Sequence, residues 1–186
     1  MRRIKSLLTG ISGLLAALAT APGRAEVTAS GPSGFSLKIE TTVTTSPDDA
    51  FFSFLRIGRW WSDGHTYSGN AVNMTLDARP GGCFCERLPR GGFVRHMEVV
   101  YSAPGKGLRL SGGLGPLQEM GAIGLMAIAF KPEGPERNDT RLTVTYTVNG
   151  FATGKGYADI ASAVDGVLAE QVARFKRFVE TGKPAG

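Results

Sequence analysis

The sequence predicts an α+β fold, and three observations support this class. Residues Leu37 to Val43 alternate apolar and polar side chains with the period of a half-buried strand. A helix signal follows directly, with Ser46 as N-cap and Pro47 at the first helical position. At the other end of the chain, apolar residues recur at helical spacing from about Lys155 to Thr181.

The N-terminus predicts export from the cytoplasm. Arg2, Arg3 and Lys5 precede an apolar stretch from Leu7 to about Ala21, followed by small residues, which is typical of a secretory signal peptide. The stretch is shorter than the roughly 20 residues that a transmembrane helix needs, so no stable membrane insertion is expected after cleavage. We place the signal peptide at residues 1–25, with cleavage after Ala25, and a periplasmic or secreted product. A cut after Ala19 and an uncleaved anchor remain alternatives.

The net charge of +5 gives no support to nucleic-acid binding. Residues 1–25 hold four basic residues and no acidic one, and the rest of the chain has 17 basic and 16 acidic residues, a net charge of +1. Residues 26–34 are expected to be a flexible lead-in, residues 35–181 one domain, and residues 182–186 a tail.

The first helix begins with a capping box, because Asp49 lies three residues after Ser46. Its apolar stripe weakens near Gly58, so the sequence predicts two short helices ending in Arg59-Trp60-Trp61. One indole is expected in the core and the other towards a cavity or the surface.

Six further strands are predicted, which with the first makes a seven-stranded antiparallel sheet. They lie at Val72–Leu76, Cys83–Leu88, Phe93–Tyr101, Leu108–Leu110, Leu125–Phe130 and Leu142–Val148. The long C-terminal helix then closes the chain, with Gly182 as its C′ residue and Pro184 beyond it. A helix of this length with one apolar stripe requires a sheet to cover it.

The order of these elements resembles the START-like superfamily, also called SRPBCC or the polyketide cyclase/dehydrase family, which has a helix-grip fold. The resemblance covers about Phe35 to Thr181. It implies a curved sheet around the C-terminal helix and an internal cavity for a small hydrophobic or aromatic molecule. The features that carry it are the alternation from Leu37 to Val43, Ser46-Pro47, Arg59-Trp60-Trp61, Arg79-Pro80-Gly81-Gly82, Thr140-Arg141-Leu142-Thr143-Val144 and the final helix.

The stretch from Glu119 to Gly124 departs from the strand start that is usual in such relatives. Its glycines, alanine and apolar residues suit either a flexible lip of the cavity or a tightly packed strand.

The hairpin from Cys83 to Tyr101 predicts a polar pair. If residues 89–92 form its loop, Glu86 lies opposite Arg95. Their face also carries the apolar residues Phe84, Leu88, Phe93 and Met97. Because that face is the more apolar, the pair is expected inside the sheet as a polar anchor for the ligand. An ion pair at the solvated rim is the alternative.

The opposite face of the hairpin would carry Cys83, Cys85, His96 and Glu98, which could bind zinc. The spacing of the two cysteines is not a common zinc spacing. Two residues apart in a strand, their Cα atoms would be about 6.6 Å from each other, near the upper limit for a disulfide. Reduced thiols are therefore the preferred interpretation, although an exported protein meets oxidising conditions.

No catalytic or cofactor motif is present in the sequence, and neither a cofactor nor a bound metal is expected. Binding of a small hydrophobic molecule is therefore preferred over catalysis. The alternative is a cyclase- or hydratase-like enzyme that uses Glu86, Arg95 or His65 on an aromatic or polyketide-type substrate. Oligomeric state is not predicted. The candidate ligand-binding residues are Trp61, His65, Glu86, Arg95, Tyr101, Tyr146 and Tyr157.

Overall fold

The computed structural model describes residues 24–136, 138–151 and 156–185. They form an α+β structure in which one antiparallel sheet packs against a long C-terminal helix. The predicted signal peptide lies outside the described residues except for Arg24 and Ala25. The elements are β1 (Arg24–Gly31), β2 (Gly34–Val43), α1 (Pro47–Leu55), β3 (Met74–Leu76), β4 (Cys83–Arg87), β5 (Phe93–Ala103), β6 (Gly107–Ser111), β7 (Ile123–Glu133), β8 (Asp139–Asn149) and α2 (Tyr157–Thr181).

The sheet has eight strands in the order β1-β2-β8-β7-β6-β5-β4-β3, not the seven predicted. The additional strand is β1, which occupies most of the segment expected to be a flexible lead-in. It pairs with β2 from Arg24↔Glu40 to Gly31↔Gly34 and forms the sheet edge. Its pairing rests on backbone hydrogen bonds, and only Ala25 and Val27 contribute apolar packing to the core. Such a weak apolar pattern gives no clear strand signal in the sequence.

Helix α1 begins as predicted and ends earlier. Ser46 is the N-cap, and its hydroxyl accepts a hydrogen bond from the Asp49 backbone N–H at 3.2 Å. The helix ends at Leu55, and a separate 3₁₀ turn spans Ile57–Arg59 before the tryptophan pair. Gly58 permits this turn to pack tightly, because a Cβ there would lie 2.9 Å from the carbonyl oxygens of Ala71 and Met74.

The core lies between the sheet and α2. Strand β2 turns Phe35, Leu37 and Ile39 towards the helix, and each is almost fully buried. The rings of Trp60 and Phe175 pack at 5.2 Å between centroids, which ties the turn after α1 to the helix. Helix α2 ends as predicted, with Gly182 in the left-handed conformation (φ 77°) that favours glycine at this position.

Candidate functional site

A cleft of about 380 Å³ opens between α2, the loop that follows Trp61, the connection between β6 and β7, and residues of strands β3 and β5. Its lining is mostly aliphatic and aromatic and, in the part of the chain that the structure describes, contains no lysine or arginine. The volume falls at the lower end of the range typical of small-molecule sites. The lining residues are Trp61, Gly64, His65, Thr66, Tyr67, Met74, His96, Leu114, Gly115, Pro116, Leu117, Met120, Ile160, Ala163, Val164, Val167 and Leu168.

One wall of the cleft is the connection between β6 and β7, residues 112–122, which we call the lip. Two buried tyrosines hold it. The Tyr146 hydroxyl accepts a hydrogen bond from the Leu114 N–H at 3.0 Å and lies 3.2 Å from the Gly112 carbonyl, to which it donates. The Tyr157 hydroxyl donates to the Met120 carbonyl at 3.1 Å. Sequence analysis predicts that both tyrosines contact ligand, and the structure places them behind the lip instead of in the lining.

The tryptophan pair divides between core and cleft. Both indoles are buried, but only Trp61 belongs to the lining. The Trp60 indole N–H donates to the Phe54 carbonyl at 3.2 Å, and the Trp61 indole N–H donates to the His65 carbonyl at 2.9 Å. The second bond fixes the loop that brings His65 to the cleft.

The register of the β4–β5 hairpin differs from the predicted one. Phe84 pairs with Met97 as expected, but Cys85 pairs with Arg95, so His96 is an additional residue on β5. Such a β-bulge turns two consecutive side chains to the same face. His96 and Met97 are accordingly both buried, at 3% and 1% exposure.

This bulge overturns the predicted Glu86–Arg95 pair. Arg95 lies on the outer face and forms an ion pair with Glu98. Phe93, also predicted to point inwards, is 72% exposed. Glu86 does point inwards, with no exposed surface, and its partner is His96, whose Nε2 lies 3.1 Å from Glu86 Oε2.

Glu86 is held by three hydrogen bonds. Besides His96, the backbone N–H groups of Ser68 and Tyr67 donate to its carboxylate at 2.6 and 3.2 Å. Burial by itself raises the pKa of Glu86, but the hydrogen bonds from Ser68, Tyr67 and His96 outweigh it and hold this pKa below the ordinary value. Glu86 is therefore an ionised carboxylate that fixes the loop at residues 67–68.

His96 connects Glu86 to the lip. Its Nδ1 accepts a hydrogen bond from the Gly115 N–H at 3.3 Å, which requires that this nitrogen carry no proton. The ring is therefore neutral, and Nε2–H donates to Glu86. Burial lowers the pKa of His96, against the opposing effect of the Glu86 carboxylate, which agrees with a neutral ring. The Tyr67 ring stacks on the His96 ring at 6.1 Å between centroids and 15° between planes.

His65, a partly exposed residue of the lining, lies at the mouth of the cleft. Its Nε2 is 3.0 Å from Glu170 Oε2 of α2, and both side chains are partly exposed. Burial raises the pKa of Glu170, but the hydrogen bond from His65 and the nearby Arg174 help hold it below the ordinary value. The contact joins the loop after Trp61 to α2.

The two cysteines form a disulfide, which corrects the preference for reduced thiols. The Cα atoms of Cys83 and Cys85 are 5.4 Å apart, closer than an extended strand allows, and the register of β4 shifts between Phe84 and Cys85. The alternative zinc cluster is not assembled, because His96 faces inwards. Within the described ranges, no group of three or more His, Cys, Asp or Glu residues is placed to hold a metal ion.

The structure thus brings Trp61 and His65 into the lining and Glu86 directly behind it. Arg95 and Tyr101 lie outside the cleft, and Tyr101 is 41% exposed with the Arg109 guanidinium 4.5 Å from its ring centroid. The inward position of His96 and the contribution of Leu114 to Leu117 were not predictable from the pattern of the sequence. Met120 belongs to the stretch flagged as a possible lip. None of the helices described is long and apolar enough to cross a membrane.

The sequence matches no protein-family model and no curated protein. Solved structures do share its fold. A conserved protein of unknown function from Enterococcus faecalis is 14% identical with a TM-score of 0.57, over 88% of this chain and 80% of that one. CalU16 from Micromonospora echinospora is 15% identical with a TM-score of 0.53, over 82% of this chain and 78% of that one. A protein from Chromobacterium violaceum is 12% identical with a TM-score of 0.51, over 78% and 96%. At these identities the likeness concerns the fold alone.

Proposed function

We propose that this chain is an exported START-like protein that binds a small hydrophobic or aromatic molecule in the cleft between the sheet and α2. The observation that carries the proposal is the lining of the cleft, which is largely apolar. A site of this kind binds mainly by removing apolar ligand surface from water, with few polar groups to orient it. The sheet, the C-terminal helix and the cleft between them support assignment to the START-like superfamily.

Export is the second part of the proposal. It is supported by the basic and apolar N-terminal segment and by the Cys83–Cys85 disulfide, since disulfides persist mainly in oxidising compartments. Cleavage after Ala25 would remove the first two residues of β1, whereas cleavage after Ala19 would leave the whole strand. The mass of the mature protein distinguishes these two sites. A product that retains residue 1 would contradict cleavage.

An enzymatic function of the cyclase or hydratase type is the second candidate. One observation favours it: a carboxylate and an imidazole, Glu86 and His96, form a buried pair at the cleft, as in many acid–base sites. Against it, both His96 nitrogens already have partners in the protein, so neither is free to exchange a proton with substrate. Binding without turnover is therefore the better-supported function.

Mass spectrometry of the mature protein purified from the periplasm tests the proposal. A small apolar molecule should co-purify in the native complex and be lost on denaturation. Val164→Phe, which fills the cleft from α2, should abolish this capture, whereas Ser162→Phe, at an exposed position of the same helix outside the lining, should not. Protein that carries no such molecule and binds none from a periplasmic extract would contradict the proposal.

A further inference from the structure

We infer that the cleft selects uncharged molecules and excludes organic anions of the same size and shape. This inference rests on the proposed function and specifies its ligand class. It depends on the charges that border the cleft and on the hydrogen bonds that its polar groups already make.

The inner cleft is the part beside Tyr67 and His96. Among the described residues, the charges close to it are negative. Glu86 lies directly behind His96, ionised and with no exposed surface. Glu119 lies on the lip, and burial together with the charges of Glu119 and Glu86 raises the pKa of Tyr67, which lines the cleft. An anion beside Tyr67 and His96 would experience the same unfavourable field, which the protein interior screens less than water does.

Positive charge does not compensate within the lining, which has no lysine or arginine among the described residues. Arg174 is a cation near the mouth; its Nε donates to the Trp60 carbonyl at 3.0 Å and its terminal nitrogen donates to the Trp61 carbonyl at 3.2 Å. Its charge also acts on Glu170, which lies at the mouth beside His65. Of the described residues, those at the mouth therefore carry charges of both signs, while those beside Tyr67 and His96 carry only negative charge.

Three hydrogen-bond donors beside Tyr67 and His96 are already occupied within the protein. His96 Nε2–H binds Glu86, the Tyr67 N–H binds the same carboxylate, and the Trp61 indole N–H binds the His65 carbonyl. A buried carboxylate on the ligand would lose its water and gain none of these three donors in return, which is costly. Among the described residues, Asp165 Oδ1 and Gln171 Nε2 are buried without a partner, and neither residue lines the cleft.

A matched pair of probes tests the inference. Isothermal titration calorimetry on the mature protein at pH 7.5 would compare 2-naphthol, which is uncharged, with 2-naphthoate, which has the same ring system and a carboxylate. We expect 2-naphthol to bind at least tenfold more tightly. Raising the salt concentration should reduce this ratio only in part, because salt screens the exposed Glu119 carboxylate but screens the buried Glu86 carboxylate poorly.

Two variants locate the origin of the discrimination. Glu86→Gln and Glu119→Gln should each lower the ratio of the two affinities at least threefold. Glu98→Gln, which removes a carboxylate from the outer face, should leave the ratio unchanged. Glu119 is an exposed lip residue, so its variant provides the test even if Glu86→Gln does not fold.

The outcomes separate the inference from the proposed function. Equal or tighter binding of 2-naphthoate, with 2-naphthol also bound, would overturn the inference and leave the binding function intact. An unchanged ratio in both variants would also overturn it. Binding of neither probe would count against the proposed function itself, and the inference would fall with it.

Discussion

Replacing Glu86 by glutamine should destabilise the fold more than any other single exchange of carboxylate for amide on this hairpin. The carboxylate has no exposed surface and accepts hydrogen bonds from Ser68, Tyr67 and His96. Glutamine has the same shape but only one accepting oxygen. Because an amide nitrogen cannot accept a hydrogen bond, at least one of these N–H donors would lose its partner.

The expected loss follows from these contacts. Hydrogen bonds to a charged group contribute about 1.5–3 kcal/mol each, and a buried donor left without a partner costs about 1–3 kcal/mol. The neutral amide of the Glu86→Gln variant no longer requires a charge to be buried, which offsets part of this loss. A net decrease of about 3 kcal/mol in the free energy of unfolding is expected. For a domain of this size, that corresponds to a fall of roughly 6–12 °C in melting temperature.

Thermal and urea unfolding at pH 7.5, followed by circular dichroism, measures this change. Glu98→Gln is the matched control, because Glu98 is exposed and pairs with Arg95 on the outer face. Exposed pairs contribute little, so the control should lose less than about 1 kcal/mol. Equal stability of the two variants would refute the claim that Glu86 is a buried, ionised carboxylate that stabilises the fold through its hydrogen bonds to Tyr67, Ser68 and His96.

Two further predictions concern pH and packing. Burial holds the pKa of His96 below its ordinary value of 6.5, so acidification below pH 6.5 protonates the unfolded chain before the folded one and lowers stability. His96→Asn should remove this contribution of His96 to the fall in melting temperature between pH 7.5 and 5.5, whereas His65→Asn should retain it. Identical pH profiles for wild type and His96→Asn would contradict the conclusion that buried His96 causes this loss of stability. Gly124→Ala should lower the melting temperature, because its Cβ would lie 2.5 Å from the Tyr146 ring, while Gly166→Ala, with nothing within 4 Å on the exposed face of α2, should stabilise by about 0.5–1 kcal/mol. A stabilised Gly124→Ala variant would show that Tyr146 is not packed as described.

Strong local patterns made most of the fold predictable. The alternation from Leu142 to Val148 could only be a half-buried strand, and Ser46 with Pro47 fixed the start of α1. The edge strand β1 was not predictable in the same way. It contributes little apolar surface, and its backbone hydrogen bonds to β2 require no particular pattern of side chains.

The site was predictable only in part, because a single bulge decides it. A regular hairpin with its loop at residues 89–92 would place Arg95 opposite Glu86. The bulge adds one residue at position 96, so that His96 and not Arg95 lies on the inner face. Nothing in the sequence around His96 marks the bulge. A buried glutamate requires a hydrogen-bond donor as its partner. Arg95 and His96 both meet this requirement, so it does not show which of the two faces inwards.

The most direct measurement is the affinity of the mature protein for 2-naphthol in three forms: wild type, Val164→Phe and Ser162→Phe. Val164 lines the cleft, while Ser162 is exposed on the same helix and does not. If the cleft between the sheet and α2 is the binding site, Val164→Phe should lose at least tenfold in affinity and Ser162→Phe should match wild type. Equal affinities in all three forms would show that the ligand binds elsewhere and would contradict the proposed function.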